Sequence, residues 1–159
     1  MNNTDEPITL KGKASLDQQL DTLIKVEREQ IKVSLAEARA LGDLKENAEY
    51  HSAKEKQALN EGKIAYLQNV LSHCNVIDIT KISSETIVFG ATIKLVDVEK
   101  DKEVTYQIVG KDEADLKNYK ISYNSPLGKA LLGKEEGDTV IVKAPKGDLE
   151  YEIEEISYF

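Results

Sequence analysis

Leu41-Gly42-Asp43-Leu44-Lys45-Glu46-Asn47-Ala48-Glu49-Tyr50 is the stretch on which the fold turns. It is polar, short and flanked on both sides by long segments of helical periodicity, so it reads as the turn of a helical hairpin. Upstream, Leu16, Leu20, Leu23, Ile24, Ile31, Leu35 and Ala38 follow steps of three, four or seven, with Lys25, Glu29, Lys32 and Glu37 between them. That is one apolar stripe. Ser15 is the expected N-cap of this helix and Gly42 its C′ terminator. Downstream, Tyr50, Ala53, Ile64, Leu67 and Leu71 form a second stripe, with polar Gln57 and Asn60 at seam positions. They keep a heptad register while weakening its middle. A helix from Ser15 to Leu41 would be on the order of 40 Å long. The connection is too short for anything but antiparallel neighbours.

Two carboxylates, Asp43 and Glu46, therefore fall at the turn. Spacing alone favours a capping-box-like pair, an acid at N-cap with a glutamate at N3, and acids suit the positive end of a helix. Position argues for more, because a tip can touch what a compact core cannot reach. Two carboxylates three residues apart can share a hard cation such as Mg²⁺, although alone they leave most of an octahedral shell to water. Arg39, Lys45, Lys54 and Lys56 lie near the turn. They either steer a phosphate backbone or form a solvated face helped by a Lys45–Glu49 pair at i, i+4. His51, His73 and Cys74 lack further ligands at metal-binding spacing and read as structural or exposed.

Composition bounds the rest. With 159 residues, 40% hydrophobic and 31% charged, the chain has material for one compact domain plus an extended element. Its formal net charge of -8 argues against coating nucleic acid unaided, since that affinity rests on Lys and Arg neutralising phosphates. A single cysteine, Cys74, excludes an intramolecular disulfide and fits a reducing cytoplasm. No apolar run approaches the ~20 residues of a membrane span. Met1-Asn2-Asn3-Thr4-Asp5-Glu6 lacks the basic and apolar regions of a signal peptide, so a soluble, unexported chain is expected.

The second half changes period. Ile87–Phe89, Thr92–Val98, Val104–Val109, Ile121–Tyr123, Thr139–Val142 and Leu149–Ile156 are short and rich in β-branched or aromatic residues, which predicts an antiparallel sheet. Asn124-Ser125-Pro126 opens a short helix through Leu132, with Ser125 at N-cap, Pro126 at N1 and Gly133 as the stop. Pro145-Lys146-Gly147-Asp148 is a turn, and the phase change along the last strand predicts a bulge near Glu154-Glu155. The expected fold class is α+β: an N-terminal antiparallel coiled-coil hairpin over 1–76 and a sheet domain with one short helix over 77–159. Asp112-Glu113-Ala114-Asp115 spells a helicase-type acidic motif. The phosphate loop it would need is missing, because Gly12-Lys13-Ala14 and Gly133-Lys134-Glu135 carry no hydroxyl after the lysine. These acids read as a loop.

Gly42-Asp-Leu-Lys-Glu-Asn-Ala-Glu-Tyr-His51, Glu61-Gly62, Phe89-Gly90-Ala91-Thr92, Val109-Gly110 with the following acids, Asn124-Ser125-Pro126 and Gly133-Lys134-Glu135 together resemble the Gre family of bacterial transcript-cleavage factors. The likeness runs from about Ile8 to Tyr158 in one register. It implies an FKBP-like sheet domain, and a coiled coil that enters the secondary channel of RNA polymerase. There, Asp43 and Glu46 would help the polymerase cleave the extruded 3′ end of a backtracked RNA.

By the same resemblance Arg39 and Lys54 contact RNA, with lysine at a position that is usually arginine, and Asn124, Ser125 and Pro126 contact the polymerase. The lysine keeps the charge but loses a bidentate phosphate contact. Glu29 stands where many relatives have proline. No tightly bound cofactor is expected. Mg²⁺ would be held jointly with the polymerase, the metal ligands from this chain being Asp43 and Glu46, and the chain itself would be an auxiliary, a monomer, and no enzyme. Two rival readings stand beside this one. A prolyl isomerase would need an aromatic-lined pocket, and the chain has no Trp and two Phe. A channel-binding regulator would block without promoting cleavage.

Overall fold

The computed structural model describes residues 5–159; the Met1–Thr4 portion of the leader reading lies outside them. Contacts divide the described residues into two units, one of residues 13–74 and one joining residues 5–12 to residues 75–159.

In the first unit, helix α1 (Leu10–Thr22) passes through a π-helical turn (Leu23–Glu27) into α2 (Arg28–Ala40), and after the tip α3 (Ala48–Ser72) returns. Leu16, Leu35, Ala38, Ala53, Ile64 and Leu67 are buried, the apolar stripes expected from periodicity. Asn60 is only 6% exposed, and its amide donates to the Leu23 carbonyl at 3.1 Å. The same carbonyl accepts the i+5 bond from Arg28 N–H that defines the π turn, so the polar seam residue is satisfied rather than merely tolerated. Arg28 also forks onto Glu61 across the hairpin, at 2.8 and 2.9 Å. Beside the π turn an open cleft of about 1050 Å³ is lined by Gln18, Gln19, Thr22, Leu59 and Tyr66.

The expected helix start is corrected. Ser15 lies inside α1, and the cap is Thr9, whose hydroxyl accepts from Gly12 N–H at 3.0 Å. The chain enters the helix directly from a strand, β1 (Glu6–Thr9), that pairs with β2 (Cys74–Ile77). Residues 5–12 thus pack with the sheet unit, although the expected hairpin span of 1–76 includes them.

The sheet unit holds β3 (Thr92–Asp97), β4 (Lys102–Val109), β5 (Lys120–Ser122), β6 (Thr139–Ala144) and β7 (Gly147–Ser157), in the order β5-β4-β3-β7-β6. Alternation along β3 buries Ile93 and Leu95 completely, and Ile108, Leu131 of α4 (Pro126–Leu131) and Ile153 close the core. The bulge falls at the expected place: Lys94 faces Glu155 while Leu95 faces Ile153, leaving Glu154 extra.

Two expectations are overturned. Ile87–Phe89 is no strand: Ile87 is buried and exchanges backbone bonds with Gly133 and Lys134, while only Thr86 bridges Glu135. The sheet is also not wholly antiparallel, since β4 and β5 run parallel. The loop after Val109 and a 3-10 turn at Leu116–Asn118 carry the chain back to the start of β4's pairing segment, a crossover without a long helix.

Candidate functional site

Helix α2 ends at Ala40 with Leu41 as its C-cap, and Gly42 follows at φ +128°, a conformation open to glycine at little cost. The chain then needs a start for α3. Asn47 supplies it: its side-chain oxygen accepts from Tyr50 N–H at 3.0 Å, and its amide donates to the Ala38 carbonyl of the opposite helix. One side chain thus caps α3 and ties the helices together at their ends.

Because Asn47 is the cap, the capping-box reading of Asp43 and Glu46 does not hold. Asp43 closes a small local turn, its carboxylate accepting from Lys45 N–H at 3.0 Å. Both acids are exposed, with Leu41 and Leu44 exposed beside them. His51 steadies the same loop, donating from Nε2 to the Lys45 carbonyl at 3.2 Å. The Lys45–Glu49 pair is absent from the ion pairs of the described residues, since Lys45 precedes the first turn of α3 and lacks helical spacing.

Arg39 and Lys54 both stand beside one aromatic ring. The Arg39 guanidinium carbon stands 5.9 Å, and the Lys54 ammonium 6.0 Å, from the centroid of the Tyr50 ring. Tyr50 itself is half-buried. Among the described residues no group of three or more His, Cys, Asp or Glu side chains is placed to hold a metal. Asp43 and Glu46 are hard oxygen donors of the kind Mg²⁺ takes, but they are a partial set.

Asn124, Ser125 and Pro126 lie in the other unit. Ser125 caps α4 as expected: its hydroxyl accepts from Gly128 N–H at 3.1 Å and donates to the Ser122 carbonyl at 2.6 Å. A Cβ on Gly128 would come within 2.2 Å of that Ser122 carbonyl oxygen, so only glycine allows the loop to sit this close. Asn124 and Pro126 are exposed. Ser125 and Pro126 line a cleft of about 480 Å³ together with Tyr106, Leu116, Ile121, Leu127 and Val142. Tyr106 is the one aromatic residue of the lining.

Two features escaped the sequence reading. Asn47 carried a signal, a capping residue directly before a helical run, obscured by the competing acid pair upstream. The cleft carried none, since its walls come from distant segments.

A hairpin with bare acids at its tip, on the same chain as a sheet unit with an exposed loop beside an apolar cleft, defines a two-part factor whose polar groups are presented outward. Comparison with known proteins gives the family. The model described as "Transcription elongation factor, N-terminal" matches residues 6–76, and that described as "Transcription elongation factor, GreA/GreB, C-term" matches 82–158. Transcription elongation factor GreA of Methylobacterium nodulans is 51% identical over 96% of both chains. GreA of Xylella fastidiosa is 52% identical and that of Pseudomonas aeruginosa 51%, each over 96% of this chain and 97% of the relative. The solved GreA factor homolog 1 (Gfh1) of Thermus thermophilus is 29% identical over 96% of this chain and 99% of its own, with a TM-score of 0.44. The chain belongs to the GreA/GreB family of transcription elongation factors.

Proposed function

We propose that this chain binds RNA polymerase, inserts its hairpin tip into the secondary channel, and stimulates the polymerase's own cleavage of backtracked RNA 3′ ends. The observation that carries the proposal is the state of Asp43 and Glu46. Both are exposed at the tip, and neither serves as a helix cap. Family membership supplies the partner, and the resemblance supplies the channel.

In this reading the two carboxylates would help retain a second Mg²⁺ jointly with the polymerase, which holds the first, and the two ions between them would supply activation of water and stabilisation of the leaving oxygen. This chain contributes ligands and orientation. It is an auxiliary, not a nuclease, and works as a monomer in the cytoplasm. Among the described residues no helix is long and apolar enough to cross a membrane. Arg39 and Lys54 contact the extruded RNA, and the Asn124–Pro126 loop contacts the polymerase.

The test is cleavage in stalled polymerase complexes, with binding measured alongside. Asp43→Ala and Glu46→Ala should each remove most stimulated cleavage while still displacing the wild-type factor from polymerase. Full cleavage by both variants would overturn the proposal, and binding without any cleavage by the wild-type chain would leave a channel-blocking regulator.

A further inference from the structure

The chain has two arginines, and the structure treats them differently. Arg28 is engaged by the Glu61 carboxylate through both Nε and Nη2. Arg39 makes no ion pair among the described residues. Its guanidinium is held instead near the Tyr50 ring, which the Lys54 ammonium approaches to nearly the same distance. Among the described residues Lys54 too makes no ion pair; its ammonium donates to the neutral Gln57 Oε1 at 3.3 Å.

Two like charges gathered at one ring repel each other, and the attraction of a ring face at about 6 Å is modest, roughly 0.5–1 kcal/mol per cation at an exposed site. Such an arrangement is improved by anionic groups that pair with the cations. A phosphodiester backbone suits them: the guanidinium offers a flat fork of donors and the ammonium a point charge, both of which bind phosphate oxygens.

Tyr50 is well fixed for holding them. Its backbone N–H is the one capped by Asn47, its ring packs edge-on to His51 with centroids 5.8 Å apart, and it is half-buried behind the tip. The cations therefore move with the same turn that carries Asp43 and Glu46.

We infer that Tyr50 is a positioning residue, its ring holding Arg39 and Lys54 beside the tip, where they receive the phosphate backbone of the RNA brought to the tip acids. This rests on the proposed function for the RNA, but the placement itself belongs to the free chain. The phenol hydroxyl has no part in it, so Tyr50→Phe should preserve what Tyr50→Leu destroys.

The first measurement is nuclear magnetic resonance of the free protein. Arg39 Cδ and Lys54 Cε protons should be shifted by the ring current in the wild type and in Tyr50→Phe, and lose the shift in Tyr50→Leu. Absence of any such change overturns the inference whatever the protein does to polymerase. The second is cleavage at saturating factor. Tyr50→Leu should lower the saturated rate roughly tenfold, as loss of alignment does, with half-saturating concentration unchanged and Tyr50→Phe near wild type. In an Arg39→Ala, Lys54→Ala background the Tyr50→Leu effect should vanish, because it acts through those residues. A Tyr50→Leu effect that persists there, or a wild-type rate for Tyr50→Leu while Asp43→Ala is inactive, overturns the inference and leaves the proposed function standing. Full activity of Asp43→Ala and Glu46→Ala strikes the proposed function instead.

Discussion

Thr9 gives both its backbone N–H and its hydroxyl to the carboxylate of Glu113, at 2.7 and 2.6 Å, across 104 residues of sequence. Glu113 also accepts from Gly110 N–H at 3.2 Å. The acidic loop that resembled a helicase motif is thus a clasp on the N-terminal strand. Gly12 makes room for it: a Cβ there would stand 2.0 Å from the Glu113 carboxyl carbon.

Thr9→Val should remove the hydroxyl's bond to Glu113 and the cap on Gly12 together while conserving shape. The expected loss is about 1–3 kcal/mol of stability, read as a lower midpoint in denaturant titration. An unchanged midpoint would mean that the backbone N–H alone holds the clasp.

Asn47→Ala should cost about 1–2 kcal/mol through loss of the α3 cap, with further loss from the tie to Ala38. Helical circular dichroism on heating should show an earlier onset. Asp43→Ala, by contrast, opens only a local turn on the surface and should melt within about 1 kcal/mol of wild type. A reversed order of the two variants would restore the capping-box reading of the acids.

Tyr123 donates to the Glu6 carboxylate, and that hydrogen bond, with burial and the Glu6 charge behind it, pushes its phenol up to about 12. An unfolded tyrosine ionises near 10. The fold favours the neutral phenol, so this contribution to stability is complete below pH 10 and is lost as pH rises from 10 towards 12. Ultraviolet titration should show a late phenolate transition that disappears in Tyr123→Phe and moves down in Glu6→Ala. A transition unmoved by Glu6→Ala would assign the shift to burial, the cause that also raises Tyr151.

Mg²⁺ should bind the free protein weakly, because Asp43 and Glu46 leave most of the octahedral shell to water. Calorimetry of Mg²⁺ into wild type and Asp43→Ala should give small and similar heats, while stimulated cleavage depends on the ion. Tight binding that Asp43→Ala removes would reveal a self-sufficient site.

Periodicity made the larger architecture legible. The stripe through Leu35 and Ala38, the alternation of Ile93 and Leu95, and the phase slip at Glu154 each follow from one local rule. What the sequence concealed depends on partners far along the chain. Glu6-Pro7-Ile8-Thr9 is four residues with a proline, too brief to announce a strand, and its pairing with Cys74–Ile77 is visible only in the fold. The parallel run of β5 beside β4 is decided by a loop, not by the residues of either strand. At the tip, Asp43 and Glu46 were legible as acids at a turn. Their release from capping was not, because it follows from Asn47 reaching across to Ala38.

The π turn lets the hairpin carry one residue more than its seam needs. Arg28 bonds to Leu23, five residues back, so Leu23–Glu27 accommodates more chain than a regular helix would over the same rise. In an unbroken helix at about 100° per residue, Leu16 and Leu35 would stand roughly 100° apart, yet both are buried on the seam, because the π turn takes up the extra residue between them. Removing one residue within Leu23–Glu27 should therefore let the helix run regular without turning Leu16 off the seam, whereas the same deletion elsewhere between Leu16 and Leu35 should turn it unless the π turn is given up. Changes of length in this arm should be borne at the π turn before anywhere else.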